Sequence, residues 1–234
     1  MLNERLPVRG ARTRASQKAA IDHLRGSDPI LRRVIDGHPG FDPRAWLAEL
    51  PRMDAFGTLL FQLAGQQLSV QSTRSILRRL SSLFGGRLPS PREVLQSKPE
   101  SLLKTGLSHR KIATLREVAR QFSQGRLSEA GLRRLSDREV EDRLTEIRGV
   151  GPWTAHGFLI IALRRPDVVL PGDLALRKVI RRAYGLRQMP SQERVLQIAE
   201  PWKPYRSLAT SYLFQAAFDS PSQAAGRKRA TQVR

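Results

Sequence analysis

The sequence contains no cysteine. That absence removes thiol nucleophiles, disulfides, iron–sulfur clusters and cysteine-bound zinc together. Histidine is nearly as scarce: His23, His38, His109 and His156 are scattered, with none of the spacings of a histidine metal site. No metal and no other cofactor is therefore expected. Long apolar runs are missing as well. The longest, FLIIAL at 158–163, falls far short of the ~20 residues that a membrane helix needs, which excludes a membrane role for this stretch. The N-terminal MLNERLPVRGARTRASQ lacks the apolar centre of a secretory signal. Period-two alternation is absent too, and VVL at 168–170 is too short to build a sheet.

Acidic residues are in short supply relative to basic ones. Asp and Glu number 21 against 41 Lys and Arg, a formal charge of +20 on 234 residues. A chain of this length with 40% hydrophobic residues buries a substantial core, so the excess charge belongs to a folded surface. A surface this basic suits a polyanion, nucleic acid first. The preponderance of arginine suits forked contacts to phosphate oxygens. A basic protein with no nucleic-acid role is the alternative at this point.

Proline, glycine and capping residues divide the chain into helices. Asp42-Pro43 before RAWLAEL reads as a cap with proline at the first helical position. Residues 55–83 carry apolar spacings of three and four over two helices, with a break at Gly65-Gln66-Gln67. Ser90-Pro91-Arg92-Glu93 and Ser136-Asp137-Arg138-Glu139 are capping boxes. Gly106 stops a helix that Ser108 restarts, and Ile112, Leu115, Val118 and Ala119 form one apolar face of the next. Helices are further expected from Pro152, over LALRKVIRRAYG with Gly185 as its stop, over SQERVLQIAEP and over YRSLATSYLFQAAF. The predicted fold class is all-α, with about ten helices. Residues 1–25 are expected to form a basic flexible arm, 26–225 the folded part and 226–234 a basic flexible tail.

The segment LTEIRGVGPWTAHGFLIIAL places Ile147, Gly149 and Gly151 in a tight connection between two helices. Glycine admits positive φ and lets a foreign backbone approach closely. The amides at the start of the following helix, through Thr154, lack intrahelical partners and lie at the positive end of the helix dipole. Ile147, Gly149, Gly151 and Thr154 are thus candidates for a phosphate-binding hairpin, with Val150 packed down as its anchor. A plain corner between two helices is the competing reading. Arg148 and Lys178 are basic residues that suit phosphate contact, as many here do.

LTEIRGVGPWTA resembles the hairpin element of the helix-hairpin-helix–Gly/Pro/Asp DNA glycosylases, and VVLPGDLALRKVI resembles their Pro-Gly-Asp segment. LAGQQLSVQSTRSILRRL (63–80), GLSHRKIATLREVA (106–119) and WKPYRSLATSYLF (202–214) narrow the resemblance to the 3-methyladenine DNA glycosylase II branch, AlkA type. It covers residues 30–220 in the family's order. It implies two helical lobes with the active site in the cleft between them. It also implies a bacterial, cytoplasmic, nucleoid-associated monomer that acts on damaged double-stranded DNA without a cofactor. The N-terminal β-containing domain of larger members is not expected, which implies a compact member.

The resemblance makes Asp173 the catalytic residue, whereas its position alone reads as a helix N-cap; the two roles are compatible. It places Trp153 and Phe214 in the base pocket, with Trp202 and Tyr205 weaker, and core packing is the rival role for each. It gives the turn residues Gln67 and Leu68 the intercalating role, against helix-end hydrogen bonding for Gln66 and Gln67. Members that cut the DNA strand carry a lysine at the start of the second hairpin helix, where this chain has Pro152-Trp153. A hydrolytic glycosylase without lyase activity is implied. His156 and Gly157 stand where AlkA-type members carry a polar residue and a tyrosine, which implies a more open pocket. Another damaged base as substrate, deaminated or oxidised, and a non-catalytic DNA-binding protein are the alternatives.

Overall fold

The computed structural model describes the backbone of residues 9–218 and the side chains of 16–217. The basic tail at 226–234 lies outside the described residues. Helices alone make up the regular structure among the described residues, thirteen α-helices and two 3-10 helices, in agreement with the all-α expectation. The described residues divide into two compact units: 44–168 form one, and those of 9–43 and 169–218 form the other.

The continuous unit is built around α3 (Ala55–Gly65). Its residues 55–60 and 62–64 are all buried, because helices cover it on several sides. Packed against it are α4 (Val70–Leu83), α7 (His109–Ser123) and α10 (Pro152–Ile161). The short α5 (Pro91–Gln96) and α6 (Pro99–Leu103) rest on α7, and α9 (Asp137–Thr145) on α10. Both capping boxes form as expected: the Ser90 and Ser136 hydroxyls accept the amides of Glu93 and Glu139, whose carboxylates return to the serine amides. Hydrogen bonds from Ser136 hold the Glu139 carboxyl below its ordinary pKa. For Glu93, hydrogen bonds from Arg87 and Ser90 have the same effect.

The discontinuous unit comprises α1 (Arg9–Ser27), α2 (Pro29–Asp36), α11 (Leu174–Ala183), α12 (Gln192–Ala199) and α13 (Arg206–Phe218). Its organising group is a buried carboxylate. Asp28 Oδ1 accepts the amides of Ile30 and Leu31 at 2.8 and 3.0 Å and so caps α2. Oδ2 accepts Trp202 Nε1 at 2.8 Å and the Tyr184 hydroxyl. Every acceptor direction of this anion is used, and three segments distant in sequence are tied to one point. Burial, then the bond to Asp28, pushes the Tyr184 hydroxyl well above its ordinary pKa. Trp202, fully buried, is a core residue, and Tyr205 lies edge-on to His23 with ring centroids 5.4 Å apart.

Two sequence expectations change, and one helix is added. The arm expected over 1–25 is in good part α1, which starts at Arg9 and buries Ala20 and Leu24 against the fold. Two Asp-Pro pairs occur, and the helix follows the other one: Asp28-Pro29 opens α2, with the carboxylate capping as the rule requires. After Asp42-Pro43 only a five-residue 3-10 turn forms, Ala45–Glu49, capped by no side chain. Pro51 stops its extension, and Trp46 turns instead to Phe61, ring centroids 5.8 Å apart. Finally α8 (Glu129–Arg133), too short for a periodic signal, forms under a Ser128 cap.

Replacing Asp28 by alanine strands four donors around one buried point. Asp28→Ala is expected to cost about 3 kcal/mol or more of folding free energy. Thermal unfolding followed by circular dichroism reads this loss; an unchanged midpoint would remove Asp28 from the centre of its unit.

Candidate active site and nucleic-acid interface

The hairpin between α9 and α10 contains two glycines that serve different ends. Gly149 has φ +94°, and a Cβ there would come within 2.2 Å of Thr114 Oγ1. The fold itself demands glycine at this position. Gly151 has φ −110°, an ordinary extended value, and a Cβ there would meet nothing within 4 Å. Nothing inside the described protein requires glycine at 151.

The backbone amides sort in the same way. Val150 N–H turns inward to the Ile147 carbonyl at 2.9 Å, and both side chains are buried, so Val150 is the expected anchor. The amides of Gly149 and Gly151 donate to no group among the described residues. They stand at the N-terminus of α10, where Gly151 is an N-cap with no side chain to offer. Backbone donors at the positive end of a helix, with open space in front, make an anion site. Arg148, exposed at the tip, adds charge. His156 Nε2 lies 3.1 Å from Glu141 Oε2 and joins the two hairpin helices.

Thr154 departs from expectation. It is buried, its amide donates to the Gly151 carbonyl at 2.9 Å, and its hydroxyl accepts Gln66 Nε2 at 2.9 Å. Both groups are committed inside the fold, so Thr154 braces the hairpin rather than facing an anion. Ile147 is likewise an internal support.

Gln66 Nε2 also donates to the Gly149 carbonyl at 3.0 Å. One carboxamide therefore links the α3–α4 turn to the hairpin. Lys111 secures the same turn: its Nζ donates to the carbonyls of Ala64 and Gln66 at 2.8 and 2.9 Å, at the end of α3 where carbonyls lack helical partners. Burial lowers the pKa of this amine. Thr114, one turn further along α7, donates to the Arg148 carbonyl at 3.1 Å. Sequence reasoning gave Gln66 only a local role and did not single out Lys111 or Thr114. Their signal was a lysine and a threonine three apart on the apolar side of a helix.

With Gln66 held inward, Gln67 and Leu68 project outward. Gln67 has φ +57°, a conformation that non-glycine residues rarely adopt and that costs about 1 kcal/mol. Gln67 is exposed and Leu68 is 43% exposed. A strained, braced tip with two outward side chains has the form of a wedge.

Asp173 is the N-cap of α11, its Oδ1 accepting the Leu176 amide at 2.8 Å. The cap role read from position alone is thus realised, and it fixes the carboxylate in place. Trp153 occupies the first turn of α10 and Phe214 lies in α13; both are half-buried, whereas Trp202 is spent in the core. Gly157 corrects another expectation. It is buried, and a Cβ there would fall 2.4 Å from Gln62 Nε2. The space left by the absent side chain is filled by Gln62, not open. Among the described residues no cluster of acidic and histidine side chains could hold a metal ion.

Residues 62–204 match the HhH-GPD superfamily base excision DNA repair protein family. The chain is 30% identical to DNA-3-methyladenine glycosylase 1 of Schizosaccharomyces pombe over 197 residues, 83% of this chain and 85% of that protein. It is 27% identical to DNA-3-methyladenine glycosylase 2 of Escherichia coli over 184 residues, 74% of this chain and 61% of the longer relative. The solved structure of the Schizosaccharomyces pombe 3-methyladenine DNA glycosylase in complex with abasic DNA superposes with a TM-score of 0.78, covering 85% of this chain and 96% of that one. The chain belongs to the HhH-GPD superfamily of base excision DNA repair proteins, alongside the DNA-3-methyladenine glycosylases.

Proposed function

We propose that this protein is a hydrolytic alkylpurine DNA glycosylase that acts as a monomer on duplex DNA and leaves an abasic site. The observation that carries the reading is Gly151, a glycine with no internal reason to be one, beside free-standing amides at a helix N-terminus. A phosphate that packs against the hairpin supplies the missing reason. Phosphate contact positions a protein without reading sequence, which suits an enzyme that must search for rare damage.

Gln67 and Leu68 fill the gap left when the target nucleotide leaves the stack, a step that costs a few kcal/mol. Backbone strain at Gln67, held by Gln66 and Lys111, keeps the wedge raised before DNA arrives. The extruded purine stacks on an aromatic face, the role we assign to Trp153, because an electron-rich ring favours a cationic one. A 3-alkylated purine already carries positive charge. Its bond to C1′ breaks with the electron pair passing to the base, and an oxocarbenium-like sugar remains. Asp173 stabilises that cation and orients the water that adds to C1′, the water's proton passing to the carboxylate or to solvent.

Pro152-Trp153 supports water as the nucleophile, since the hairpin offers no amine there. Lys111 has the lowered pKa that favours an amine nucleophile, but its Nζ is committed to two carbonyls behind the wedge.

Asparagine caps a helix as well as aspartate does, so Asp173→Asn should preserve the fold while removing the charge. Release of methylated purines from duplex DNA is expected to fall about a hundredfold or more, with DNA affinity within about twofold of wild type. Undiminished release would remove Asp173 from catalysis.

The two glycines give a paired test. Gly149→Ala should lower the melting temperature, because Thr114 must move. Gly151→Val should leave it unchanged yet weaken binding about tenfold for undamaged duplexes of any sequence. A Gly151 variant with wild-type affinity, or with a loss confined to one sequence, would contradict phosphate capture.

A further inference from the structure

Gln62 lies in the middle of α3 and is 4% exposed, yet its carboxamide makes no hydrogen bond among the described residues. A carboxamide left unpaired inside a protein is destabilising, and leucine or methionine would fill the same volume without that cost. Neither polar atom of Gln62 is among the fully enclosed side-chain atoms that lack a hydrogen bond. The stem is therefore buried while the tip reaches accessible space.

Gly157 sets where that tip lies. A Cβ at 157 would come within 2.4, 2.5 and 2.6 Å of Gln62 Nε2, Cδ and Oε1. In a helix, a side chain covers the surface over the turn N-terminal to its own Cα. Gly157 follows Trp153 by four residues on α10, so the volume a side chain at 157 would take lies over the turn that carries Trp153. The Gln62 carboxamide occupies that volume. A donor and an acceptor, neither of them hydrogen-bonded among the described residues, sit on the helix face that carries Trp153.

We propose that Gln62 is a specificity-determining residue that reads the edge of the purine stacked on Trp153 and favours adenine-derived lesions. The inference rests on the glycosylase reading above. Glutamine pairs with adenine in a bidentate manner, its oxygen accepting from the N6 amino group and its nitrogen donating to N7. In 3-methyladenine that edge is intact. Guanine offers the acceptor O6 in place of the amino group, and in 7-methylguanine the neighbouring nitrogen is blocked by the methyl, so the same edge cannot satisfy both halves of the carboxamide. Arginine or lysine at 62 would favour guanine, and neither is present.

The test is single-turnover release of 3-methyladenine and 7-methylguanine from dimethyl-sulfate-treated duplex DNA, with two variants. Gln62→Met keeps the length and removes both polar groups. Gly157→Ala keeps Gln62 but pushes its flexible end aside, a displacement the fold tolerates. Gln62→Met is expected to lower 3-methyladenine release about tenfold and to leave 7-methylguanine release within about twofold. Gly157→Ala should move the ratio in the same direction, and the double variant should be no worse than Gln62→Met, since both act on one contact. Equal losses for the two bases, or an unmoved ratio in an active protein, overturn the inference alone. A wild type that releases neither base overturns the glycosylase reading and this inference with it. If Gln62→Met does not fold, Gly157→Ala decides by the same ratio.

Discussion

The Gln66 carboxamide is the joint between the α3–α4 turn and the glycine hairpin. The carboxamide nitrogen is shared between the Gly149 carbonyl and the Thr154 hydroxyl, and the main-chain carbonyl of Gln66 is held by Lys111. The turn that carries Gln67 and Leu68 and the hairpin that carries Gly149 and Gly151 are thereby one body. Apolar packing alone could not hold them so, because Gln67, Leu68 and Arg148 are all exposed. Directional hydrogen bonds from half-buried groups solve that problem. Thr114 adds a second tie from α7 to the hairpin, so a single helix face of Lys111 and Thr114 steadies both elements.

The discontinuous unit uses the opposite device. Asp28 gathers an α2 cap, Tyr184 and Trp202 onto one buried carboxylate, and none of these groups is spare for chemistry. This explains why Trp202 is not available as a base platform. Asp173, by contrast, spends Oδ1 on capping α11. The cap holds this carboxylate in position, and a helix N-terminus tolerates the anion.

Elements marked by local chemistry were legible from the sequence alone. The capping boxes at Ser90 and Ser136, the Gly106 stop and the Pro152 start depend on neighbours within four residues, and each formed. The glycine hairpin was legible for the same reason. What escaped was decided at a distance. The two Asp-Pro pairs are locally alike, and only the partners Tyr184 and Trp202 make Asp28 the stronger cap. Thr154 read as an outward group until Gln66 claimed its hydroxyl. Gly157 read as an empty place because its filler, Gln62, comes from another helix.

Hydrolysis at a single purine, without strand cleavage, is the central claim. It is tested most directly by incubating the purified wild-type chain with a duplex that contains one 3-methyladenine analogue, in the presence and absence of borohydride. Free base, an intact strand that breaks only on later alkaline treatment, and no borohydride-trapped protein–DNA adduct are the predicted result. Unreleased base, or a trapped adduct accompanied by a nicked strand, would contradict the account.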